Sequence, residues 1–281
     1  MREEYSTKMQ KYSGAGNKFI MVNNLEGNYK NLTETVLEFT KKEENADIDG
    51  VIFVEISSVA DFKMNYFNKD GTGDALCGNG LRCTVKYISD NKISEKKEVK
   101  LEAVSQIYEC KIISNDNISI VFPPPVKVKT NFKLKVHFQE WWELLNCSYV
   151  DCGSPHIVVF TDEIEKPKVK DLEEVNVMEW GRNIRMHKDL MPEGANVNFV
   201  KIISNENNEI EIRSYERGVE GETLACGTGA ISSALIYFIL RNPQKPVKVL
   251  TRSGEYLIVD FDIENKKLIN VKLSGNAVKY K

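Results

Sequence analysis

Long apolar runs are missing from the 281-residue chain: the longest, residues 234–240, falls far short of the roughly 20 residues that span a bilayer. A membrane-spanning helix is therefore not expected. Neither sign of charge dominates, since 38 Lys and Arg stand against 41 Asp and Glu, mixed along the chain for a net −3. So even a balance gives no support to binding of nucleic acid or of a membrane surface. Histidine is scarce at three residues, and none of the six cysteines (Cys77, Cys83, Cys110, Cys147, Cys152 and Cys226) forms a Cys-x-x-Cys pair. Structural zinc is not expected. The opening residues MREEYSTKMQKYSG contain no apolar core and no small-residue cleavage site, so a secretory leader is not expected either. A cytoplasmic protein with reduced thiols, rather than a disulfide framework, is the expectation.

What is present is the balance of a folded protein, 42% hydrophobic, 28% charged and 9% aromatic, with length for one large domain or two modest ones. Most of the chain reads as short strands separated by turns: NISIVF after Asn115 and Asp116, IVVF after Pro155, VNFVKII, EIEIRSY with alternating Ile210 and Ile212, and EYLIVDF. Two helices interrupt this mostly antiparallel pattern. One is expected over 78–89, with Leu81, Val85 and Ile88 on one face, and one over 227–240, ended by Arg241, Asn242 and Pro243. A third is expected around 33–41.

Phe122 is followed by Pro123, Pro124 and Pro125, which can neither donate to a strand ladder nor continue a helix, so a crossing between two lobes is expected there. The halves on either side resemble each other. NYFNKDGTGDALCGNG (65–80) aligns without gaps on SYERGVEGETLACGTG (214–229) at an offset of 149, which superposes Cys77 on Cys226. Upstream of each lies another glycine-led turn, GAGN at 14–17 and GSPH at 153–156. Two copies of one unit are the simplest explanation.

Each copy carries strand, loop, Cys-Gly-x-Gly and helix. A thiol at a helix N-terminus ionises more readily than a free one, because amide N–H groups and the helix dipole stabilise negative charge. Gly78, Asn79, Gly227 and Thr228 are candidate amide donors to a carboxylate. Buried cysteines at tight turns would also read this way, but packing gives no reason for both halves to keep the pattern. Two equivalent acid–base groups suit inversion at a carbon bearing one acidic hydrogen: one thiolate removes the proton and the opposite thiol returns one to the other face. Charge spread onto the adjoining carboxylate would be held by the two helix N-termini.

These stretches resemble the diaminopimelate epimerase family. The similarity runs from GAGNKFIMVNN through ADIDGVIFVE, FNKDGTGDALCGNGLRC, GSPHIVVF, GANVNFV and ERGVEGETLACGTG to LSGNAVKY. The resemblance implies an α+β fold of two pseudo-symmetric lobes, each a mostly antiparallel, barrel-like β layer around a central helix. Residues 1–122 would form the first lobe and 126–267 the second, with a C-terminal strand at 268–281 returning to the first. It implies a cleft between the lobes as active site, conversion of LL-diaminopimelate to the meso form for lysine and peptidoglycan synthesis, and no cofactor or metal. The partner implied is a small amino-acid substrate, and a homodimer is compatible with it. By motif, Cys77 and Cys226 match the acid–base thiols, and Gly78, Asn79, Gly227 and Thr228 the donors to the reacting carboxylate. Asn17, Asn68, Asn196, Glu216 and Arg217 match residues around the substrate, with Asn68, Asn196 and Arg217 at its non-reacting end, and His156 matches a histidine near the catalytic centre.

Lys18 stands where the family has Asp, Ser154 where it has Asn, and DIDG replaces its glycine-led form. Ser154 bears on which distal group is held. A racemase of another amino acid on the same scaffold is the alternative, although a proline-sized pocket needs no Arg217 and Asn68 at a far end. A thiol redox protein would be expected to carry Cys-x-x-Cys, and a non-catalytic amino-acid-binding module would catalyse no exchange of the α-hydrogen.

Overall fold

The computed structural model describes residues 9–73, 76–138 and 141–280. Residues 1–8, on which the expectation of no leader partly rests, lie outside these, as do Asp74 and Ala75 of the first Cys-Gly-x-Gly copy and Lys281 at the end of the returning strand. Two compact units emerge. One runs to Val121 and takes the chain back from Ser274, and the other is Phe122–Leu273.

The first unit contains β1 (Gln10–Gly14), β2 (Asn17–Asn23), α1 (Leu32–Thr40), β3 (Gly50–Glu55), β4 (Phe62–Asn68), α2 (Gly78–Asp90), β5 (Glu98–Ala103), β6 (Gln106–Ile112) and all but the last residue of β7 (Asn117–Phe122). The second contains β8 (Lys127–His137), β9 (Trp142–Asp151), β10 (Pro155–Phe160), α3 (Val177–Arg185), β11 (Asn196–Ser204), β12 (Glu209–Glu216), β13 (Gly221–Thr223), α4 (Gly227–Arg241), β14 (Val247–Leu250), β15 (Tyr256–Glu264) and most of β16 (Lys267–Asn276). A last strand, β17 (Val278–Tyr280), pairs antiparallel with β1 in the first unit.

Both units use one wiring. In the first, β1 is antiparallel to β2, β2 parallel to β3, β3 antiparallel to β4, β4 parallel to β5, and β5 antiparallel to β6. In the second, β9 is antiparallel to β10, β10 parallel to β11, β11 antiparallel to β12, β12 parallel to β14, and β14 antiparallel to β15. Each parallel pair is joined by a connection that carries a helix, because two parallel strands cannot be linked by a tight turn. That rule accounts for α3, which the sequence reading did not anticipate: it crosses from β10 to β11 as α1 crosses from β2 to β3. The expected antiparallel character holds for most pairs, and the parallel ones fall at these crossovers.

Helices α2 and α4 sit at the centre of their units. Every residue from Asn79 to Ile88 in α2, and from Gly229 to Tyr237 in α4, is buried. Burial on all sides marks a helix enclosed by other elements rather than one lying on a surface. Accordingly α2 touches β1, β2, β3, β4, β6 and β17, and α4 touches β9, β10, β11, β12, β14 and β15. Two charged side chains are accommodated inside α2 by pairing. Arg82 Nη2 donates to Asn79 Oδ1 at 2.6 Å, and Lys86 Nζ lies 2.7 Å from Asp90 and 3.3 Å from Asp116. Among the described residues, no helix is long and apolar enough to cross a membrane.

Candidate active site

Each cysteine of the repeated motif is the N-cap of its unit's central helix. Cys77 has extended backbone (φ −126°, ψ 105°) and its Sγ accepts from the Gly80 amide at 3.3 Å; Cys226 (φ −109°, ψ 112°) accepts from the Gly229 amide at the same distance. A sulfur thus takes the role that serine or aspartate usually fills, bonding the third amide of the helix. The first two amides of a helix have no carbonyl within the helix to bond, and helix N-termini favour anions; here those positions are Gly78 and Asn79 in one unit and Gly227 and Thr228 in the other. The motif's second glycine is explained by closeness. A Cβ on Gly229 would lie 3.1 Å from Cys226 Cβ, 3.2 Å from its Sγ and 2.4 Å from Asn198 Oδ1; on Gly80 it would lie 3.4 Å from Cys77 Cβ and 3.5 Å from its Sγ.

Around Cys226 the second unit builds a continuous polar network. His156, at the start of β10, is fully buried and stands in register with Asn196 on β11. Its Nε2 lies 2.9 Å from Thr228 Oγ1 and 3.0 Å from Ser154 Oγ, and Thr228 Oγ1 lies 3.6 Å from Cys226 Sγ. Burial, aided by the positive charge of Arg217, pushes the imidazole down to about 3, so the ring is neutral at ordinary pH. Glu216 closes the other side. Its carboxyl is hydrogen-bonded to Cys226 and accepts from Thr223 Oγ1 at 2.5 Å, and burial raises it above the ordinary glutamate value. Burial, then the negative charge of Glu216, raises the Cys226 thiol in turn. The pair therefore favours keeping a proton, and Cys226 rests as the thiol.

Arg217 is exposed. Its backbone N–H donates to Asn196 Oδ1 at 2.8 Å, and its Nη1 donates to the Glu193 carbonyl at 3.0 Å. Ser154, which the resemblance associates with the distal group, instead bonds His156 and donates to Thr228 Oγ1 at 3.2 Å, beside the helix N-terminus.

In the first unit, Asn79 Nδ2 donates to Asn17 Oδ1 at 2.6 Å, which ties the start of α2 to the β1–β2 turn. Asp49 Oδ2 accepts from Asn17 Nδ2 at 3.2 Å and from the Lys18 amide at 2.8 Å, while Lys18 Nζ pairs with Asp47 at 2.6 Å. Two departures from the family pattern, Lys18 and the DIDG element, are thus partners of each other. Asn68 ends β4; it accepts from Tyr66 Oη at 2.8 Å and donates to Thr72 Oγ1 at 2.9 Å.

Cys77, Gly78, Asn79 and Asn17 accordingly gather at one helix N-terminus, with Asn68 at the end of a neighbouring strand. Cys226, Gly227, Thr228, His156, Asn196 and Glu216 gather at the other, and Arg217 joins them through its backbone. Sequence reasoning missed Asp49, Thr223 and Asn198. Asp49 and Thr223 stood in motifs already singled out; Asn198 alternates with Asn196, a spacing that puts both on one face of a strand. Among the described residues, no group of three His, Cys, Asp or Glu side chains is arranged to hold a metal ion.

The family model for diaminopimelate epimerase matches residues 9–128 and 148–279. The chain is 36% identical over 267 residues to diaminopimelate epimerase of Chlorobaculum tepidum, covering 94% of this chain and 96% of that one. It is 34% identical over 281 residues to that of Aquifex aeolicus, covering 96% and 94%. Solved structures share the fold at low identity. A Bacillus anthracis phenazine biosynthesis protein of the PhzF family superposes with TM-score 0.72 at 17% identity over 97% of this chain and 96% of that one. A probable proline racemase from Agrobacterium radiobacter gives 0.65 at 16% identity over 97% and 90%.

Proposed function

The chain belongs to the diaminopimelate epimerase family, and from that premise we propose that it is an isomerase interconverting LL- and meso-diaminopimelate, with Cys77 and Cys226 as its acid–base pair. The observation that carries this reading is the matched capping: two thiols, each bonded to the third amide of a central helix at 3.3 Å, and each therefore set at a helix N-terminus, where negative charge is favoured.

The chemistry follows from those groups. The reacting carboxylate lies on the amides of Gly78, Asn79, Gly227 and Thr228, which stabilise the charge that develops when the α-hydrogen leaves. One sulfur takes that hydrogen as a proton while the other delivers a proton to the opposite face, and the reverse reaction exchanges their roles. When Cys226 must act as base, its proton passes to Glu216, whose raised affinity for a proton and bond to Thr223 suit it to hold one. No step needs an electron sink beyond the carboxylate, so the reaction proceeds without pyridoxal phosphate or metal. Arg217 and Asn68 hold the distal amino-acid end, for which a guanidinium is a natural carboxylate partner. The reaction supplies lysine and peptidoglycan synthesis, and the cytoplasm, which keeps thiols reduced, is its compartment.

Purified protein incubated separately with LL-diaminopimelate, lysine, histidine and proline, followed by chiral analysis, tests the reading. A mixture of LL and meso forms from diaminopimelate alone is expected. Racemisation of another amino acid with diaminopimelate untouched would replace this reading with that of a different racemase.

A further inference from the structure

We propose that Asn198 is a positioning residue: it holds His156 as the Nε2–H tautomer and thereby aims the Thr228 hydroxyl hydrogen at Cys226. This rests on the reading of Cys226 as an acid–base thiol. The tautomer follows from one backbone carbonyl. Asn198 Nδ2 lies 3.3 Å from the Ile157 carbonyl, which can only accept, and Asn198 Oδ1 accepts from Ser214 Oγ at 2.8 Å. The amide is thereby oriented, since turning it over would set its oxygen against the Ile157 oxygen. Its second N–H therefore points at His156 Nδ1, 3.0 Å away, and that nitrogen must be the acceptor. A neutral imidazole then carries its hydrogen on Nε2.

With the imidazole hydrogen on Nε2, the rest of the network completes as follows. His156 Nε2–H is directed at Thr228 Oγ1, 2.9 Å away, with Ser154 Oγ at 3.0 Å, and Ser154 Oγ donates to Thr228 Oγ1 at 3.2 Å, so that both donors reach the Thr228 oxygen. Asn196, whose Oδ1 accepts from the Arg217 amide, has its Nδ2 3.4 Å from His156 Nε2 and 3.5 Å from Ser154 Oγ; with a hydrogen on Nε2, Ser154 is the acceptor of the two. The Thr228 hydrogen is left with the Cys226 sulfur at 3.6 Å, where it favours the thiolate. With the opposite tautomer, the Nε2 lone pair would draw a hydroxyl hydrogen toward the ring instead. Asn198 and His156 are both fully buried, so no solvent competes for these positions. The bare α-carbon of Gly229 is what leaves room for the Asn198 oxygen beside α4.

Nitrogen-15 NMR of the imidazoles tests this directly, because only His137, His156 and His187 contribute signals. In the wild-type protein, His156 is expected as the Nε2–H tautomer, unchanged between about pH 5 and pH 9. An Nδ1–H tautomer, or titration in that range, would overturn the proposal without any variant being made. Asn198→Leu, which fills similar space and donates nothing, is expected to give a mixture of tautomers. In a Cys77→Ser background, it should also raise the pH midpoint of Cys226 alkylation by about one unit, read by peptide mass spectrometry. Its kcat on LL-diaminopimelate should fall by roughly tenfold or more, with KM little changed. An unchanged tautomer and midpoint in folded Asn198→Leu protein would refute the role. Neither of those two readouts requires substrate, so loss of the diaminopimelate assignment would leave them interpretable.

Discussion

Adding one methyl group at Gly229 probes the second Cys-Gly-x-Gly copy at its tightest point. In Gly229→Ala the new Cβ would stand 2.4 Å from Asn198 Oδ1, a buried atom already held by Ser214, and 3.2 Å from the Cys226 sulfur. Neither neighbour is a flexible chain end, so Asn198 must move and its bonds to Ser214, Ile157 and His156 lengthen. Overpacking costs roughly 1–3 kcal/mol. A buried polar group left unsatisfied costs about 1–3 kcal/mol more, against roughly 1 kcal/mol regained by removing glycine from a helix. A net loss of about 1–5 kcal/mol is expected, or about 2–20 °C in melting temperature. Gly80→Ala is the internal control. Its Cβ would meet Ile52 Cδ1 at 3.0 Å, the end of a side chain that can yield, so its melting temperature should change by only a few degrees. Differential scanning fluorimetry on both variants, with epimerase rates beside it, measures the contrast. Gly229→Ala protein as stable and active as the wild type would show that the network around Cys226 is looser than described.

Two further outcomes are expected. Arg217→Ala should raise KM for diaminopimelate by about 10–100-fold, the worth of a charged hydrogen bond, with a smaller effect on kcat; an unchanged KM in steady-state assays would remove Arg217 from the distal site. Because His156 resists protonation down to about 3 while an unfolded histidine protonates near 6.5, the unfolded state binds the extra proton between those values and stability falls as pH drops through that window. His156→Asn should flatten that decline in urea unfolding curves taken from about pH 7 to pH 4, and an equally steep decline in the variant would refute the assignment.

The helices that carry the thiols were legible because the Cys-Gly-x-Gly repeat marks both starts and apolar residues fill both bodies. Helix α3 was equally signalled and passed over. Asn176 and Glu179 form a reciprocal cap, with Asn176 Oδ1 accepting from the Glu179 amide at 3.2 Å, and Val177, Trp180, Gly181 and Ile184 make one buried face. Gly181 disguised the pattern, yet it is there because a Cβ would lie 2.5 Å from Tyr215 Cβ. The partners of His156 were not legible. Asn196 and Asn198 are neighbours of His156 only because β11 lies parallel to β10, and the choice of strand partner depends on contacts far apart in sequence. Ser154 shows the same limit: its identity was plain, but its bonds to His156 and Thr228 depend on how α4 sits against β10.

The central claim is that Cys77 and Cys226 act on one α-carbon from opposite faces, and isotope incorporation tests it most directly. In deuterium oxide, wild-type protein with LL-diaminopimelate should yield meso product carrying deuterium at the inverted carbon. Cys77→Ala and Cys226→Ala should each form meso product at under about 1% of that rate, since each direction needs one base and one acid. Near wild-type epimerisation by either single variant would contradict the two-thiol account.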